Sequence, residues 1–402
     1  MLIVQKYGGS SVANTERIFN VANRITEYYK QGHDVVVVLS AQGDTTDNLI
    51  EKVKEISKSP SKREMDMILS TGEQQSVALM AIALTEMGYP CISLNAAQVG
   101  MFTTSDYGNA RIKKIKTERM KRELERKNIV LVTGFQGINN FDDITTLGRG
   151  GSDTTAVAIA AALHADKCEI YTDVEGVYTA DPRVVENAKK IKEITYHEML
   201  ELASLGAKVL HNRSVELAKK YNVELIVRSS LTKAEGTIVK GGFNMEKMSV
   251  IGIAGDDKVA RIALIGIEDK PGKAFEVFNA LAKENINVDL IIQSIGHDAK
   301  RDISFTVDTA ALEDTQKIIN SNKERWGVRL VDFEQNLAKV SIVGAGMATD
   351  AGVASSMFEA MFDANINIHM ISTSDIKISI LVNKTDMKKA MCALHDKFAL
   401  QY

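Results

Sequence analysis

The sequence predicts an α/β domain, with a sheet covered by helices on both faces, followed by a pair of small α+β units. Up to about residue 240, short β-branched runs alternate with longer amphipathic segments, as in residues 2–4, 11–30 and 35–39. A glycine-punctuated stretch, residues 236–248, then breaks this pattern. Beyond this stretch the chain repeats part of its own sequence, which indicates an internal duplication.

The composition narrows the class of protein. A chain of 402 residues, 45% hydrophobic and 25% charged, is typical of a globular protein with two or three domains. A net charge of −3 and the lack of a basic tract disfavour nucleic acid as a partner. Cys91, Cys168 and Cys392 lie too far apart for a metal cluster or redox pair, so we expect buried thiols. We expect a cytoplasmic protein, because no signal peptide or long apolar span is present.

Further apolar runs extend the predicted sheet. Residues 91–94, 129–133, 169–172 and 224–228 are expected to be strands. The charged segment 111–127 is expected to form one exposed helix, since its lysines and arginines are interspersed with glutamates. The break in the pattern predicts a domain boundary between residues 243 and 244, with domains 1–243 and 244–402.

The repeat defines two similar units in the second domain. Each copy reads strand, glycine-containing turn, helix, Asn-Ile-Asn turn, strand and strand, which is a β-α-β-β unit. The units span approximately residues 261–335 and 336–402, the second completed by residues 249–258. The residues that recur at a constant offset are Phe278, Ala280, Asn285, Ile286, Asn287, Ile291 and Ser294, which correspond to Phe358, Ala360, Asn365, Ile366, Asn367, Ile371 and Ser374.

The first candidate motif lies between the first strand and the first helix, at residues 6–11 (KYGGSS). Glycines there let backbone amides approach phosphate oxygens, the helix N-terminus favours anions, and Lys6 adds a positive charge. The alternative is an ordinary turn with a surface lysine. A Walker A loop is absent: the nearest approach, Gly266 with Gly272 and Lys273, has the wrong spacing and no following Ser or Thr.

The second motif, residues 145–155, is a glycine-rich turn at the entrance to an alanine-rich helix. Arg149 could bind a carboxylate through two hydrogen bonds. Asp153 could cap the helix or arrange a metal and a lysine around phosphate groups, and the sequence leaves both roles open.

The third motif, residues 171–183, is a polar loop at the end of a predicted strand, where α/β proteins place ligand-binding loops. Glu73 lies in a helix-biased apolar region, and taken alone it is interpreted as a solvated helix charge.

Together these motifs resemble the aspartate kinase family. The resemblance rests on KYGGSS, the strand end at Ser40 and Ala41 with the following TTD, STGE, GFQG, TTLGRGGSDTTA, YTDVEGVYTADPR and GAKVLH, followed by DKPG, NINVDLIIQS and NINIHMISTSD. It implies an amino-acid kinase-like αβα sandwich followed by two ferredoxin-like (ACT) α+β domains. It also implies transfer of the ATP γ-phosphoryl group to the side-chain carboxylate of L-aspartate, the first step towards lysine, threonine and methionine. Mg²⁺ would be carried by the nucleotide, without a metal site of the protein's own.

The resemblance also implies roles for individual residues. Lys6 would stabilise the charge on the transferred phosphoryl group, and Asp153 would organise Lys6 and the phosphates. Aspartate would be bound by Ser40, Thr46, Glu73, Phe135, Arg149, Gly150, Gly151 and Ser152. The nucleotide would be bound by Lys6, Tyr7, Gly8, Gly9, Ser10, Thr172, Asp173, Tyr178, Asp181, Arg183 and Lys208.

An amino-acid effector is expected in the second domain, with lysine the first choice and threonine, alone or with lysine, the rival. Its residues would be Asp269, Lys270, Pro271, Gly272, Lys273, Ala274, Asn287, Asp289, Gln293, Asp350, Ala351, Asn365, Ile371 and Ser372. A homo-oligomer formed through the ACT domains is expected. Two alternatives stay open: a kinase for another carboxylate, and a sensor whose kinase domain has degenerated.

Overall fold

The computed structural model describes residues 1–205, 209–242, 249–295, 300–347 and 350–400. The chain forms two compact units. The first comprises Met1–Tyr178 and Lys190–Met245, and the second comprises Thr179–Lys189 and Glu246–Tyr402. The sequence prediction had placed residues 179–189 in the first domain. The predicted boundary at residues 243 and 244 lies outside the described residues and stays a prediction.

The first unit contains twelve strands and eight α-helices among its described residues. The strands are β1 (Leu2–Tyr7), β2 (Asp34–Leu39), β3 (Cys91–Leu94), β4 (Met101–Thr103), β5 (Ile112–Ile115), β6 (Ile129–Thr133), β7 (Gln136–Ile138), β8 (Ile144–Thr146), β9 (Lys167–Thr172), β10 (Glu193–Thr195), β11 (Leu225–Ser229) and β12 (Thr237–Lys240). The helices are α1 (Thr15–Lys30), α2 (Thr45–Ile56), α3 (Lys62–Glu86), α4 (Ala96–Val99), α5 (Glu118–Glu125), α6 (Gly151–Leu163), α7 (Tyr196–Ser204) and α8 (Asn212–Tyr221).

An eight-stranded sheet forms the centre of the first unit, in the order β10-β12-β11-β9-β1-β2-β6-β3. Its pairs are parallel except β11 with β12. Helices α1 and α3 pack on one face through a cluster that includes Ile25, Val37 and Met80, and α6 packs against β1, β2 and β9. Because both faces are covered, β2 is an almost uninterrupted run of buried valines. The carboxyl ends of β1, β2, β6 and β9 therefore share one edge.

Two predicted helices have different bounds in the structure. The segment 111–127 is not one helix but β5 followed by α5, and β5 pairs with β4 in a small sheet ordered β5-β4-β7-β8. Pairing with a neighbouring strand outweighs the local helix preference of this charged segment. The predicted helix at 11–30 begins only at Thr15, because the Asn14 side chain accepts a hydrogen bond from the Arg17 N–H (2.9 Å).

The second unit is built on one antiparallel sheet of six strands, in the order β14-β15-β13-β16-β18-β17. Its strands are β13 (Gly252–Glu268), β14 (Ile291–Ile295), β15 (Lys300–Asp308), β16 (Leu330–Val343), β17 (Met370–Thr373) and β18 (Lys377–Asn383). Its helices are α9 (Lys273–Lys283), α10 (Leu312–Trp326), α11 (Gly352–Asp363) and α12 (Met387–Lys397).

The two repeats share this sheet through β13 and β16, which pair with each other along most of their length. The first repeat packs α9 and α10 on a core that contains Phe305 and Trp326. The second packs α11 and α12 on a core that contains Ile342 and Met357. β14 and β17 are the two outermost strands of this sheet, and their outer edges have no partner strand among the described residues.

The segment Thr179–Lys189 belongs to the core of the second repeat. Ala180 and Val185 are buried in the same cluster as Ile342. The Thr179 carbonyl accepts a hydrogen bond from the Ile253 N–H (2.7 Å), and the Thr179 hydroxyl is hydrogen-bonded to His395 (2.9 Å). These contacts explain why the segment leaves the first unit.

Two composition-based expectations can be compared with the structure. Cys168 is buried, but Cys91 and Cys392 are only partly buried, so the expectation of three buried thiols was right for one. Among the described residues, no helix is both long and apolar enough to cross a membrane.

Candidate active site

A lysine and an aspartate meet at the carboxyl edge of the parallel sheet. Lys6 is the second-last residue of β1, and Asp153 is in the first turn of α6, which packs against β1. The Lys6 Nζ lies 2.7 Å from an Asp153 carboxylate oxygen, and the two side chains are only 13% and 12% exposed. The lysine is therefore held at a helix N-terminus, where anions are favoured.

The turn after β1 lies directly against the turn after β2. A Cβ at Gly9 would come 2.6 Å from the Ala41 carbonyl oxygen, so no side chain fits there. The Ser40 N–H donates to the Tyr7 carbonyl (3.1 Å). The Tyr7 side chain is fully buried and stacks on Tyr171 with ring centroids 4.5 Å apart. Tyr7 as a whole residue is 0% exposed, whereas Gly8 is partly exposed and Ser10 is exposed.

Glu73 is a buried carboxylate on α3. It is 3% exposed, and its Oε1 accepts a hydrogen bond from the Ala41 N–H (3.2 Å). Its Oε2 is buried and has no hydrogen-bond partner among the described residues. Burial raises the pKa of Glu73 to about 7. The interpretation of Glu73 as a solvated helix charge was therefore wrong. The pattern of apolar residues along α3 does not reveal that the helix packs against the turn that follows β2.

The loops after β6 and β8 are joined by hydrogen bonds around Phe135. This residue has a positive φ of 69°. Its N–H donates to the Thr155 hydroxyl (3.2 Å), and its carbonyl accepts from the Leu147 N–H (2.8 Å). Ser152 is buried in the first turn of α6. The structure thus brings Phe135 to the loop that contains Gly150 and Gly151.

Arg149 is exposed and stands between two glycines with positive φ, Gly148 (76°) and Gly150 (70°). It has no ion-pair partner among the described residues. The side chain of Arg149 is therefore available to a ligand. Thr46, which is also predicted to bind aspartate, lies half-buried in the first turn of α2.

Besides the residues of the turn after β1, the residues predicted to bind nucleotide fall into three groups. Thr172 and Asp173 lie at the carboxyl end of β9, with the Thr172 hydroxyl donating to the Asp173 carboxylate (2.9 Å), and Tyr178 is half-buried. Asp181 and Arg183 belong to the second unit and pair with each other (2.7 Å). Lys208 lies outside the described residues.

In the second unit, the predicted effector residues are largely exposed, and several are paired. Asp269 forms an ion pair with Arg301 (2.8 Å), and Asp289 pairs with the buried Lys339. Asp350 accepts hydrogen bonds from the Ser249 hydroxyl (2.8 Å) and from the backbone at the start of α11.

The remaining effector residues are placed by the secondary structure. Gly272 (φ 97°) precedes α9, within the run Asp269, Lys270, Pro271, Gly272, Lys273 and Ala274. Gln293 lies on the edge strand β14, and Ile371 and Ser372 lie on the opposite edge strand β17. Ala351 precedes α11, and Asn287 and Asn365 are exposed in the two Asn-Ile-Asn turns.

Sequence reasoning missed two residues that contact the Arg149 loop. Asp66 on α3 is 1% exposed and accepts hydrogen bonds from the Thr146 N–H (2.8 Å) and hydroxyl (2.7 Å). Arg213 on α8 donates to the Leu147 carbonyl. Arg213 follows GAKVLH by two residues, and that proximity was the one available signal.

Comparison with known proteins agrees with this fold. Residues 1–229 match the amino acid kinase family, and residues 262–322 and 340–398 each match the ACT domain. The fold and the site thus define an amino acid kinase joined to ACT domains.

The relatives narrow this class. Aspartokinases from Bacillus sp. (strain MGA3) and Geobacillus stearothermophilus are 50% and 52% identical over 400 residues, covering 99% of this chain and 97% of each relative. The solved structure of E. coli aspartokinase III with aspartate and ADP (R-state) is 27% identical, covers 99% of both chains, and has a TM-score of 0.82. The chain belongs to the aspartokinase family and is an aspartate-phosphorylating enzyme (EC 2.7.2.4) with ACT regulatory domains.

Proposed function

We propose that the Lys6–Asp153 pair is the centre of phosphoryl transfer from ATP to aspartate. The observation that carries this proposal is a charged pair almost shielded from water at the edge where the strand-end loops meet. In such a site the lysine charge is weakly screened, so it stabilises the negative charge on the phosphoryl oxygens strongly. Asp153 holds Lys6 in position, and the amides of Gly8 and Gly9 face the phosphates.

No general base is needed for this reaction. The side-chain carboxylate of aspartate has a pKa of about 4 in water and is already ionised at neutral pH. Catalysis therefore depends on positioning and on charge neutralisation. Mg²⁺ carried by the nucleotide would further neutralise the phosphate charge, and the Asp153 carboxylate would be the group nearest to it on the protein side.

Aspartate is bound by two charges of opposite sign. The unpartnered Oε2 of Glu73 accepts the substrate ammonium, and the available guanidinium of Arg149 binds the α-carboxylate. Ser40, Thr46, Phe135, Gly150, Gly151 and Ser152 line the site. That this chain binds aspartate and a nucleotide is supported by the similar E. coli aspartokinase III structure, which contains aspartate and ADP.

The nucleotide is bound by the loop after β9, through Thr172, Asp173 and Tyr178, together with Lys6, Gly8, Gly9 and Ser10. Tyr7, which is buried, is carried over from the motif alone. Asp181, Arg183 and Lys208 are carried over from the motifs alone.

The ACT repeats bind lysine, threonine or both. Support comes from the E. coli aspartokinase III structure with lysine and aspartate (T-state), 27% identical with a TM-score of 0.78. The uncovered strand edges β14 and β17, where Ile291 and Ile371 are 52% and 41% exposed, favour association with a second copy.

One assay tests the proposed substrate and effectors. ADP release is measured with MgATP and either L-aspartate or L-glutamate, each alone and with lysine, threonine or both. We expect turnover with aspartate, little with glutamate, and inhibition by at least one end product. If neither lysine nor threonine inhibits, the effector proposal is overturned. The metal requirement is tested separately, by measuring whether ADP release is lost in the absence of Mg²⁺.

A further inference from the structure

The loop that contains Arg149 has little intrinsic stiffness. Gly148 and Gly150, on either side of Arg149, both adopt left-handed conformations that glycine reaches without strain. Glycine also loses more backbone freedom than other residues when it is ordered. An arginine between two glycines would therefore sample many positions unless other parts of the chain restrain the loop.

Arg213 provides such a restraint. Its guanidinium, at the start of α8, donates to the Leu147 carbonyl, to the Ala110 carbonyl (2.9 Å) and to the Asn109 side-chain oxygen (3.3 Å). These acceptors lie on two loops that are far apart in sequence. The fixed fork of the guanidinium thus ties the Arg149 loop to the loop at residues 108–110.

The hydrogen bonds of Arg213 are of an unusual kind for a partly buried cation. All three acceptors are neutral oxygens, and Arg213 forms no ion pair with a carboxylate in the part of the chain that the structure describes. Burial lowers the pKa of Arg213, which still leaves the side chain charged. The Glu216 carboxylate interacts with Arg213 at longer range, so the contacts that position this side chain are hydrogen bonds rather than an ion pair.

His211 restrains the same loop by contact. A Cβ at Gly150 would lie 2.2 Å from the His211 ring, so the ring packs directly against the glycine backbone. On the other side of the loop, the buried Asp66 carboxylate binds the Thr146 and Gly108 N–H groups (2.8 and 2.9 Å). The Arg149 loop is thus held by Asp66 at Thr146 and by His211 at Gly150, and Arg213 connects the same loop to α8.

We propose that Arg213 is a positioning residue for aspartate binding: it acts through Arg149 by holding the Leu147–Gly150 backbone against residues 108–110. This inference rests on the proposed role of Arg149. A ligand that meets a prearranged arginine loses less conformational freedom, so the benefit falls on the aspartate half of the site.

The test compares steady-state kinetics of the full-length chain and its variants. For Arg213→Met, which keeps the aliphatic stem but removes the donors, we expect the aspartate KM to rise about tenfold with the ATP KM changed by less than about twofold. Arg213→Lys should recover part of the loss because it keeps one charge. Lys219→Met, on the same helix and near His197 rather than the loop, is the matched control and should behave as the parent.

A double-mutant cycle separates this inference from the proposed function. If Arg213 acts through Arg149, Arg149→Ala with Arg213→Met should be little worse than Arg149→Ala alone. An unchanged aspartate KM in Arg149→Ala would refute the role of Arg149 itself. Additive losses in the double variant, or an unchanged aspartate KM in Arg213→Met, would overturn the positioning role.

A milder variant distinguishes a loss of positioning from a folding defect. Asn109→Ala removes one acceptor of the same guanidinium and should raise the aspartate KM by a smaller factor. If Arg213→Met lowers Tm and affects both substrates equally, while Asn109→Ala has no effect on aspartate KM, Arg213 is only structural and the proposal fails.

Discussion

The two units of this chain treat their charged side chains differently. In the kinase unit, Glu73 is 3% exposed with one oxygen unpartnered, and Arg149 is without an ion-pair partner among the described residues. In the regulatory unit, Asp269 and Asp289 are exposed and already paired with Arg301 and Lys339. The charges proposed to bind aspartate therefore lack an ion-pair partner, whereas two of the charges proposed to bind the effector are already neutralised by other side chains.

This difference has a physical consequence for each kind of site. A buried unpaired carboxylate costs free energy in the free protein, and that cost is recovered when a ligand ammonium arrives. An effector that uses Asp269 or Asp289 must instead compete with an existing partner, so its net gain is smaller. We therefore expect aspartate to gain more free energy from Glu73 than an effector gains from Asp269 or Asp289.

The largest effect is expected for Lys6→Ala. Removing the ammonium takes away the main positive charge at the transfer centre, so kcat should fall by about three orders of magnitude or more. ADP release by the purified chain measures this loss. Lys52→Ala, an exposed lysine on α2, is the control and should retain activity. A kcat within about tenfold of the parent would remove Lys6 from the transfer step.

Glu73→Gln should raise the aspartate KM by about ten- to hundredfold, because a neutral amide binds an ammonium weakly. In the parent, burial raises the pKa of Glu73 to about 7. The carboxylate that binds the ammonium is therefore populated only as the pH rises through about 7, so kcat/KM for aspartate should rise over that range. This rise should disappear in Glu73→Gln, and an identical pH profile in both would contradict the assignment.

Stability gives a second readout of the same group. The pKa of Glu73 rises from an ordinary value of 4.5 in the unfolded chain to about 7 in the folded one. Between those values the folded chain binds the proton more tightly, so the stability present below about pH 4.5 is lost as the pH rises through about 7. The loss should be of the order of 3 kcal/mol, measured by denaturant unfolding, and Glu73→Gln should not show it.

In the regulatory unit we expect Asp289→Asn to act on inhibition rather than on turnover. The change leaves the Lys339 ammonium, whose side chain is 4% exposed, without its carboxylate. We expect a loss of stability of about 1–3 kcal/mol and about a tenfold higher effector concentration for half-inhibition, with kcat unchanged. An unaltered inhibition curve would exclude Asp289 from the effector site.

The smallest effect is expected for Asp314→Asn on α10. Asp314 and Lys317 are paired at 2.8 Å, but their side chains are 69% and 73% exposed. Water and salt screen such a pair, so Tm should stay within about 1 °C of the parent and inhibition should not change. A clear drop in Tm would show that exposed ion pairs contribute more to the stability of the regulatory unit than solvent screening allows.

Sequence reasoning succeeded where the signal is local. The glycine-rich turns, the arginine and aspartate of the second motif, and the Asn-Ile-Asn repeat could be read directly, because turn chemistry and periodicity act over a few residues. Local signals failed for residues 112–115, which have the composition of a helix but pair with β4. They also failed for Glu73, because its burial is caused by a turn that follows β2.

The sequence by itself determined the fold class, the duplicated regulatory region and the candidate residues Lys6, Arg149 and Asp153. Only the tertiary structure decided that Lys6 and Asp153 are in contact, that Thr179–Lys189 belongs to the second unit, and that Arg213 holds the Arg149 loop. The reason is that these contacts join residues far apart in the chain. Their free energy depends on which surfaces the packed helices and strands bring together, and no local pattern records that.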